Sequence, residues 1–280
     1  MARHIDSLSS PTLKHLREQW WDSAFSEFLS ETLRPRPGTR ILDVGCGEGT
    51  AELSLGRLQI SQVDLFAVDR RLDRVAQTAA SASAHNVRVK TAAADACHLP
   101  FGSDVFDSTF CVAVLQHVGD VTAAVAELAR VTKPGGRLVA VEPDNAARYW
   151  FSSIDEGYSA NEAAAKFFAA AVHARGDGSD LSVGPKLIGF FTASGVEPLS
   201  VDLFPVSVTR LGPPPAAIWR ERREAVARLL ETVEDADVRR LGDELGAVLA
   251  QYERAAVRAG SAFVEIQNTM LFAAVGQKPE

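Results

Sequence analysis

Several large classes of protein are excluded by what this chain lacks. It has only three cysteines in 280 residues, Cys46, Cys97 and Cys111. They have neither the close paired spacing of a zinc site nor the even count of a disulfide framework, and they read as reduced and packed. No stretch approaches the roughly 18 uninterrupted apolar residues of a membrane span. The first residues, with Arg3, His4, Asp6 and Ser7, lack a signal-peptide apolar core, so a cytoplasmic protein is expected. Positive charge is in deficit, with 29 Lys and Arg against 36 Asp and Glu and a net charge of −7. That balance argues against a broad cationic footprint for nucleic acid. No internal repeat is evident.

What is present is enough apolar residue, 46%, beside 23% charged residue, to bury a full core. One enlarged domain, or a domain plus a cap, fits that composition. From Thr39 to Val141 short β-branched runs alternate with alanine-rich helical stretches, the pattern of a parallel sheet covered by helices on both faces. Strands are predicted over Arg40–Val44, Leu65–Val68, Val87–Thr91, Ser108–Val112 and Gly136–Glu142, the last after the turn Lys133-Pro134-Gly135-Gly136. Helical spacing over Arg71–Ala84 marks Leu72, Val75 and Ala79 as a buried face. Over Val121–Val131 it marks Val121, Val125 and Leu128.

Beyond Glu142 an inserted helical segment is expected through Asp144–Asp180, ending at Gly176-Asp177-Gly178. A helix over Pro185–Ser194 capped by Gly195, then a strand over Glu197–Thr209, resumes the core. After Gly212-Pro213-Pro214-Pro215 two amphipathic helices are predicted, broken near Asp235-Ala236-Asp237. Their apolar face carries Val226, Leu229, Leu230, Val238, Leu241, Leu245, Val248 and Leu249. Phe263–Val275 reads as a last strand, and Thr12–Leu33 as one N-terminal helix.

The segment with most chemical content is Ile41-Leu42-Asp43-Val44-Gly45-Cys46-Gly47-Glu48-Gly49-Thr50, an apolar strand closing on an acid and three alternating glycines. Without a Cβ, glycine reaches positive φ and lets a ligand lie against the main chain. Asp69 ends the second strand about 20 residues further on, where a carboxylate accepts from ribose hydroxyls in doubly wound nucleotide-binding folds. Asp95-Ala96 follows the third strand, where an acid and a free N–H can read a purine edge.

With these segments the chain resembles the class I S-adenosylmethionine-dependent methyltransferases, in detail their small-molecule branch of quinone-biosynthesis and natural-product enzymes. The resemblance covers Ile41–Asp144 and rests on Leu42–Gly49, Ala67-Val68-Asp69, Ala94-Asp95-Ala96 with Leu99-Pro100-Phe101, Phe106-Asp107 through Leu115-Gln116-His117-Val118, and Arg130–Leu138. It implies S-adenosyl-L-methionine as cofactor. Gly45 and Gly47 would lie against the methionine part, Asp43 would help hold its ammonium, and Asp69 would take the ribose hydroxyls. Arg70 would border the adenine, Asp95 would accept from its amine, and the Ala96 N–H would donate to its ring. The Cys111 carbonyl and Gln116 would line the methionine end. The implied fold is a doubly wound, Rossmann-like α/β sheet of seven strands in the order 3-2-1-4-5-7-6, the last antiparallel, with helical insertions forming a cap. The chain then divides into an N-terminal helical lid (1–36), the cofactor-binding core (37–143), a helical insertion (144–184), the core continued (185–211), a helical cap (212–260), and the last strand and tail (261–280).

A nicotinamide or flavin dinucleotide competes for the same turn. That turn wants a third glycine three positions after its second, where this chain has Thr50. The acid Asp43 also suits a zwitterionic tail better than a pyrophosphate, which it would repel. For catalysis, positioning should dominate, because methyl transfer from a sulfonium is an in-line displacement. A general base adds to it when the acceptor arrives protonated. His117 is placed for that role or for orienting its loop, and Glu142, with Asp144 next to it in line, for the same role or as a turn carboxylate. Tyr149, Tyr158 and His173 either touch substrate or pack the insertion, and Trp20-Trp21 either belongs to a lid or staples its helix to the core. No metal site is expected.

The acceptor class follows partly from another lack. No Pro-Pro-Tyr or Pro-Pro-Trp type tetrapeptide follows the fourth strand, where this chain has Cys111-Val112-Ala113-Val114, which disfavours nucleic-acid amino groups. A small, partly apolar acceptor in an enclosed pocket is expected instead. The helices after Pro215 read as a cap over that pocket, a homodimer contact or a solvated cover. A cofactor-binding regulator or partner subunit without catalysis remains the alternative to an enzyme, because function lives in the site and not in the fold.

Overall fold

A computed structural model describes residues 20–56, 63–176, 178, 180 and 182–280. The chain divides into two compact units, and strands run from one into the other. The first holds Trp21–Asp144, Ser182–Phe204 and Leu271–Glu280, and the second holds Asn145–Leu181 and Pro205–Met270.

In the first unit the elements are α1 (Ser23–Leu33), β1 (Arg40–Val44), α2 (Thr50–Gly56), β2 (Asp64–Asp69), α3 (Leu72–Ala84), β3 (Val89–Ala93), β4 (Phe106–Val112), α4 (Val121–Val131) and β5 (Thr132–Pro143). β1 to β5 are parallel, with Asp43 beside Ala67 of β2 and Phe110 of β4, and Asp69 beside Ala93 of β3. The order is β3-β2-β1-β4-β5, continued by the antiparallel end of β8 (Val264–Gln277), where Leu271 meets Pro143 and Gln277 meets Arg137. The long strand β7 (Glu197–Leu211) in turn pairs with β8. With β7 and β8 as the sixth and seventh long strands, this is the 3-2-1-4-5-7-6 order. Before β7, a turn at Gly184–Lys186 leads into α6 (Leu187–Ala193).

Burial explains the composition of these strands. In β1 every residue after Arg40 is buried, as befits a strand covered on both faces. Phe66, Phe101 and Phe106 meet edge to face, with ring centroids 4.9–6.2 Å apart. Phe106, Leu115, Val125, Leu128, Leu138 and Phe191 belong to the same core.

The second unit contains a short strand β6 (Tyr149–Ser152), α5 (Asp155–Arg175), α7 (Ala216–Leu230) and α8 (Ala236–Ala259). β6 pairs antiparallel with the first half of β8, Tyr149 opposite Asn268. The three helices share a core with Phe167, Trp219, Tyr252 and Phe263 fully buried. Glu265 of β8 is buried there between Arg210 (2.9 Å) and Arg222 (2.6 Å), and the Tyr252 hydroxyl donates to it at 2.8 Å. Despite its burial these partners hold the Glu265 carboxyl below the usual range.

Some elements differ from the sequence reading. Asp22 caps α1 by accepting from the Phe25 N–H at 2.8 Å, so the helix begins at Ser23 instead of running through from Thr12, whose segment 12–19 lies outside the described residues. On α3 the buried residues are Thr78 and Ala82, and Leu72 is 74% exposed. Apolar periodicity misplaced this face because alanine is compatible with either side. β5 begins at Thr132, and the Lys133–Gly136 turn interrupts its register against β4. The segment predicted as wholly helical after Glu142 includes strand β6.

Phe106 is fully buried at the start of β4, edge to face with Phe66 and Phe101. We expect Phe106→Ala to cost about 3–5 kcal/mol, read as a lowered urea midpoint.

Candidate active site

The carboxyl ends of β1, β2, β3 and β4 lie at one edge of the first unit, and the singled-out residues collect there. After Val44 the chain turns through Gly45 (φ +86°), Gly47 (φ +57°) and Gly49 (φ +86°). The Gly45 and Cys46 N–H groups both donate to the Val68 carbonyl, at 2.7 and 3.0 Å. A Cβ on Gly45 would overlap the Val114 side chain, so glycine is required there by packing as well as by φ. At Gly47 a Cβ would meet nothing within 4 Å, and this face of the turn is open.

Asp69 secures the turn from β2. Its Oδ2 accepts from the Gly47 N–H at 3.2 Å and its Oδ1 from the Arg71 N–H at 2.9 Å. Each carboxylate oxygen has a second lone pair for another donor. From α3, the Thr78 hydroxyl donates to the Gly47 carbonyl at 2.9 Å. Arg70 is exposed beside Asp69, and Arg74 pairs with Glu48 at 2.6 Å. Beyond β3, the Asp95 carboxylate accepts from the Cys97 N–H at 2.8 Å, making a tight turn with Ala96 at its corner.

The loop after β4 begins at Ala113, whose φ of +57° is uncommon for a residue with a Cβ. It then forms a short 3-10 turn, Leu115–His117. Glu142 holds this loop. Fully buried, its Oε1 accepts from the Val114 and Leu115 N–H groups at 2.7 Å each, and its Oε2 from the Gln116 N–H at 3.3 Å. This bonding gives Glu142 the setting of a turn carboxylate, one of the two roles read from its position. Gln116 is buried, His117 half-buried on the same turn, and Asp144 buried beyond the strand end. Cys111 is fully buried in β4, and burial with the neighbouring charges of Glu142 and Asp43 pushes its thiol well up. Only its backbone is left to act on a ligand.

Sequence reasoning missed Glu52, in the first turn of α2. It is 2% exposed, Asp43 is 4% exposed, and apart from Asp43 neither Glu52 oxygen has a hydrogen-bond partner among the described residues. Burial, reinforced by the charge of Glu52 and a hydrogen bond with it, and then by the charge of Asp69, raises the Asp43 carboxyl well above its ordinary value. Burial pushes Glu52 up to about 7. Two carboxylates gain a donor for each other only when one of them holds a proton. The signal that could have found Glu52 is an acid between Ala51 and Leu55, both inward-facing. On a seven-residue helix that pattern is too short to read. The Cys46 thiol beside these acids is also raised by burial.

Residues 42–140 match the family described as methyltransferase domain. Demethylmenaquinone methyltransferase of Mycobacterium marinum is 32% identical over 56% of this chain and 62% of its own length. The O-methyltransferase cnsE of Penicillium expansum is 32% identical over 49% of each. The chain therefore spans less than two thirds of these relatives. Among solved structures, the YcgJ protein from Bacillus subtilis superposes with a TM-score of 0.58 at 18% identity, over 91% of this chain and 98% of that one, which shows a shared fold.

The buried acid pair has a measurable signature without any ligand. Glu52 titrates near 4.5 when unfolded and near 7 when folded, so the folded state binds more protons between those values. Its contribution to stability therefore falls as pH rises through that window. Glu52→Gln should match the parent at pH 5 and exceed it at pH 8, by on the order of 3 kcal/mol; urea unfolding at both pH values measures the difference.

Proposed function

We propose that this chain, whose residues 42–140 match the family described as methyltransferase domain, transfers a methyl group from S-adenosyl-L-methionine to an O, N, S or C nucleophile of a small, partly apolar molecule. The observation that carries the reading is the open face of Gly47, whose N–H donates to Asp69, in the turn that follows the buried acid Asp43. Hydroxyls suit the lone pairs of Asp69 and a cation suits Asp43, and S-adenosyl-L-methionine has both. A pyrophosphate would meet like charge there.

When bound, S-adenosyl-L-methionine supplies a methyl group already activated on a sulfonium. Asp43 takes its ammonium, with Gly45 and Gly47 giving the close backbone approach for the methionine part. Asp69 takes the ribose hydroxyls with the lone pairs that the turn leaves over. Arg70 borders the adenine, Asp95 accepts from its amine, and Ala96 donates to its ring. The Cys111 carbonyl and Gln116 line the methionine end, on the loop that Glu142 holds in place. Orientation of this kind contributes about 7–11 kcal/mol to a displacement. His117 accepts the proton of a hydroxyl or thiol acceptor. The relatives are named for methylating demethylmenaquinone and for O-methylation, which supports a small-molecule acceptor here.

S-Adenosylhomocysteine should raise the melting temperature by several degrees, and Asp69→Ala, compared with its own ligand-free state, should abolish the shift. No shift in the parent protein would remove the cofactor assignment. A labelled-cofactor screen of phenols, amines, thiols and terpenoid or quinone precursors should then find an acceptor, whereas binding without turnover on every class would favour a regulator. On a hydroxyl acceptor His117→Ala should lower kcat about 100-fold; full turnover at saturating acceptor excludes it as the base.

A further inference from the structure

Glu52 has no place in the roles above, yet its setting is costly. A carboxyl group this deeply buried, with no donor but Asp43 to either oxygen, forfeits the solvation that an ionised acid needs. The titratable groups acting on it and on Asp43 come from every neighbouring element. They are Asp69 at the end of β2, Cys46 in the glycine turn and Cys111 of β4, with Glu142 of β5 behind Cys111. α3 contributes the neutral Thr78, whose hydroxyl contacts the Cys46 sulfur at 3.4 Å. None of these groups is cationic.

We propose that Asp43 and Glu52 share one proton in the ligand-free protein and form a seat in which the α-ammonium of S-adenosyl-L-methionine replaces that proton, coupling cofactor affinity to pH. This rests on the methyltransferase reading given above. Like charges in a low-dielectric site cannot both ionise without a counter-charge, and a shared proton is the smallest one available. An ammonium beside both carboxyls does the same work through N–H donors. On its arrival the remaining O–H bond breaks, the proton passes to water, and no other covalent bond changes. Burial pushes Glu52 up to about 7 and raises Asp43 well above its ordinary value, so the pair still holds a proton at neutrality for the ammonium to replace.

Calorimetry in buffers of different ionisation enthalpy tests this with two probes. S-Adenosylhomocysteine carries the ammonium, and 5′-methylthioadenosine lacks the whole amino-acid tail. At pH 6.5 the first should release more than about half a proton per site, and its affinity should rise about tenfold from pH 6 to pH 8. The second should bind with neither effect. Glu52→Gln should bind S-adenosylhomocysteine about tenfold more weakly than the parent at pH 8 and about equally at pH 6, with less proton release. Binding without release in the parent protein, or an unchanged release in Glu52→Gln, would overturn the proton exchange and leave the cofactor assignment standing. Failure of both probes to bind the parent would instead overturn the assignment beneath it. The comparison of the two probes requires no variant, so a Glu52→Gln chain that fails to fold does not shield the proposal.

Discussion

Parallel strands impose the constraint on which the rest of this site depends. Because β1 to β5 run the same way, their loops must all leave at one edge. Residues far apart in sequence then share a small volume. The glycine turn after β1, Asp69 after β2 and the 3-10 turn after β4 could not meet in a hairpin sheet, where successive loops alternate between edges. Asp43, Glu52, Gln116 and Glu142 are buried there, where polar groups act strongly on one another.

Three buried glutamates show how little the residue type says by itself. Glu142 meets a fan of backbone N–H groups and becomes a clamp. Glu265 meets two guanidinium groups and a phenol, and is ionised more readily than a free acid in water. Glu52 meets another acid and no other donor, and resists ionisation until near neutrality. Equal burial gives opposite charge behaviour because the first hydrogen-bonded neighbours, and not the depth, decide which form is favoured.

Much of the first unit was legible in the sequence because its signals are local. An apolar run that ends on an acid and alternating glycines describes its own turn, and the spacing to Asp69 follows from one strand-helix-strand unit. The strand order became legible through the resemblance carried by those motifs. What escaped depends on partners from distant segments. Glu142 was visible as an acid at a strand end, but nothing local shows that the amides of residues 114–116 face it. Glu52 sits on a helix too short for periodicity to distinguish its faces. β6 is four residues long and takes its identity from pairing with β8 more than a hundred positions away. On α3, alanine carries too little contrast to mark an inner side, which is how Leu72 came to be read as buried.

The Val68 carbonyl, which accepts from both Gly45 and Cys46, joins the tip of β2 to the start of the glycine turn. Gly47 closes the circuit by donating to Asp69, the very next residue along β2. Such a closed ring of short bonds has few soft torsions, so its members are displaced together or not at all. Nucleoside and amino-acid ends of a molecule seated here would thus be gripped by one rigid body, and a strain applied at either end would be felt at the other without any rearrangement in between.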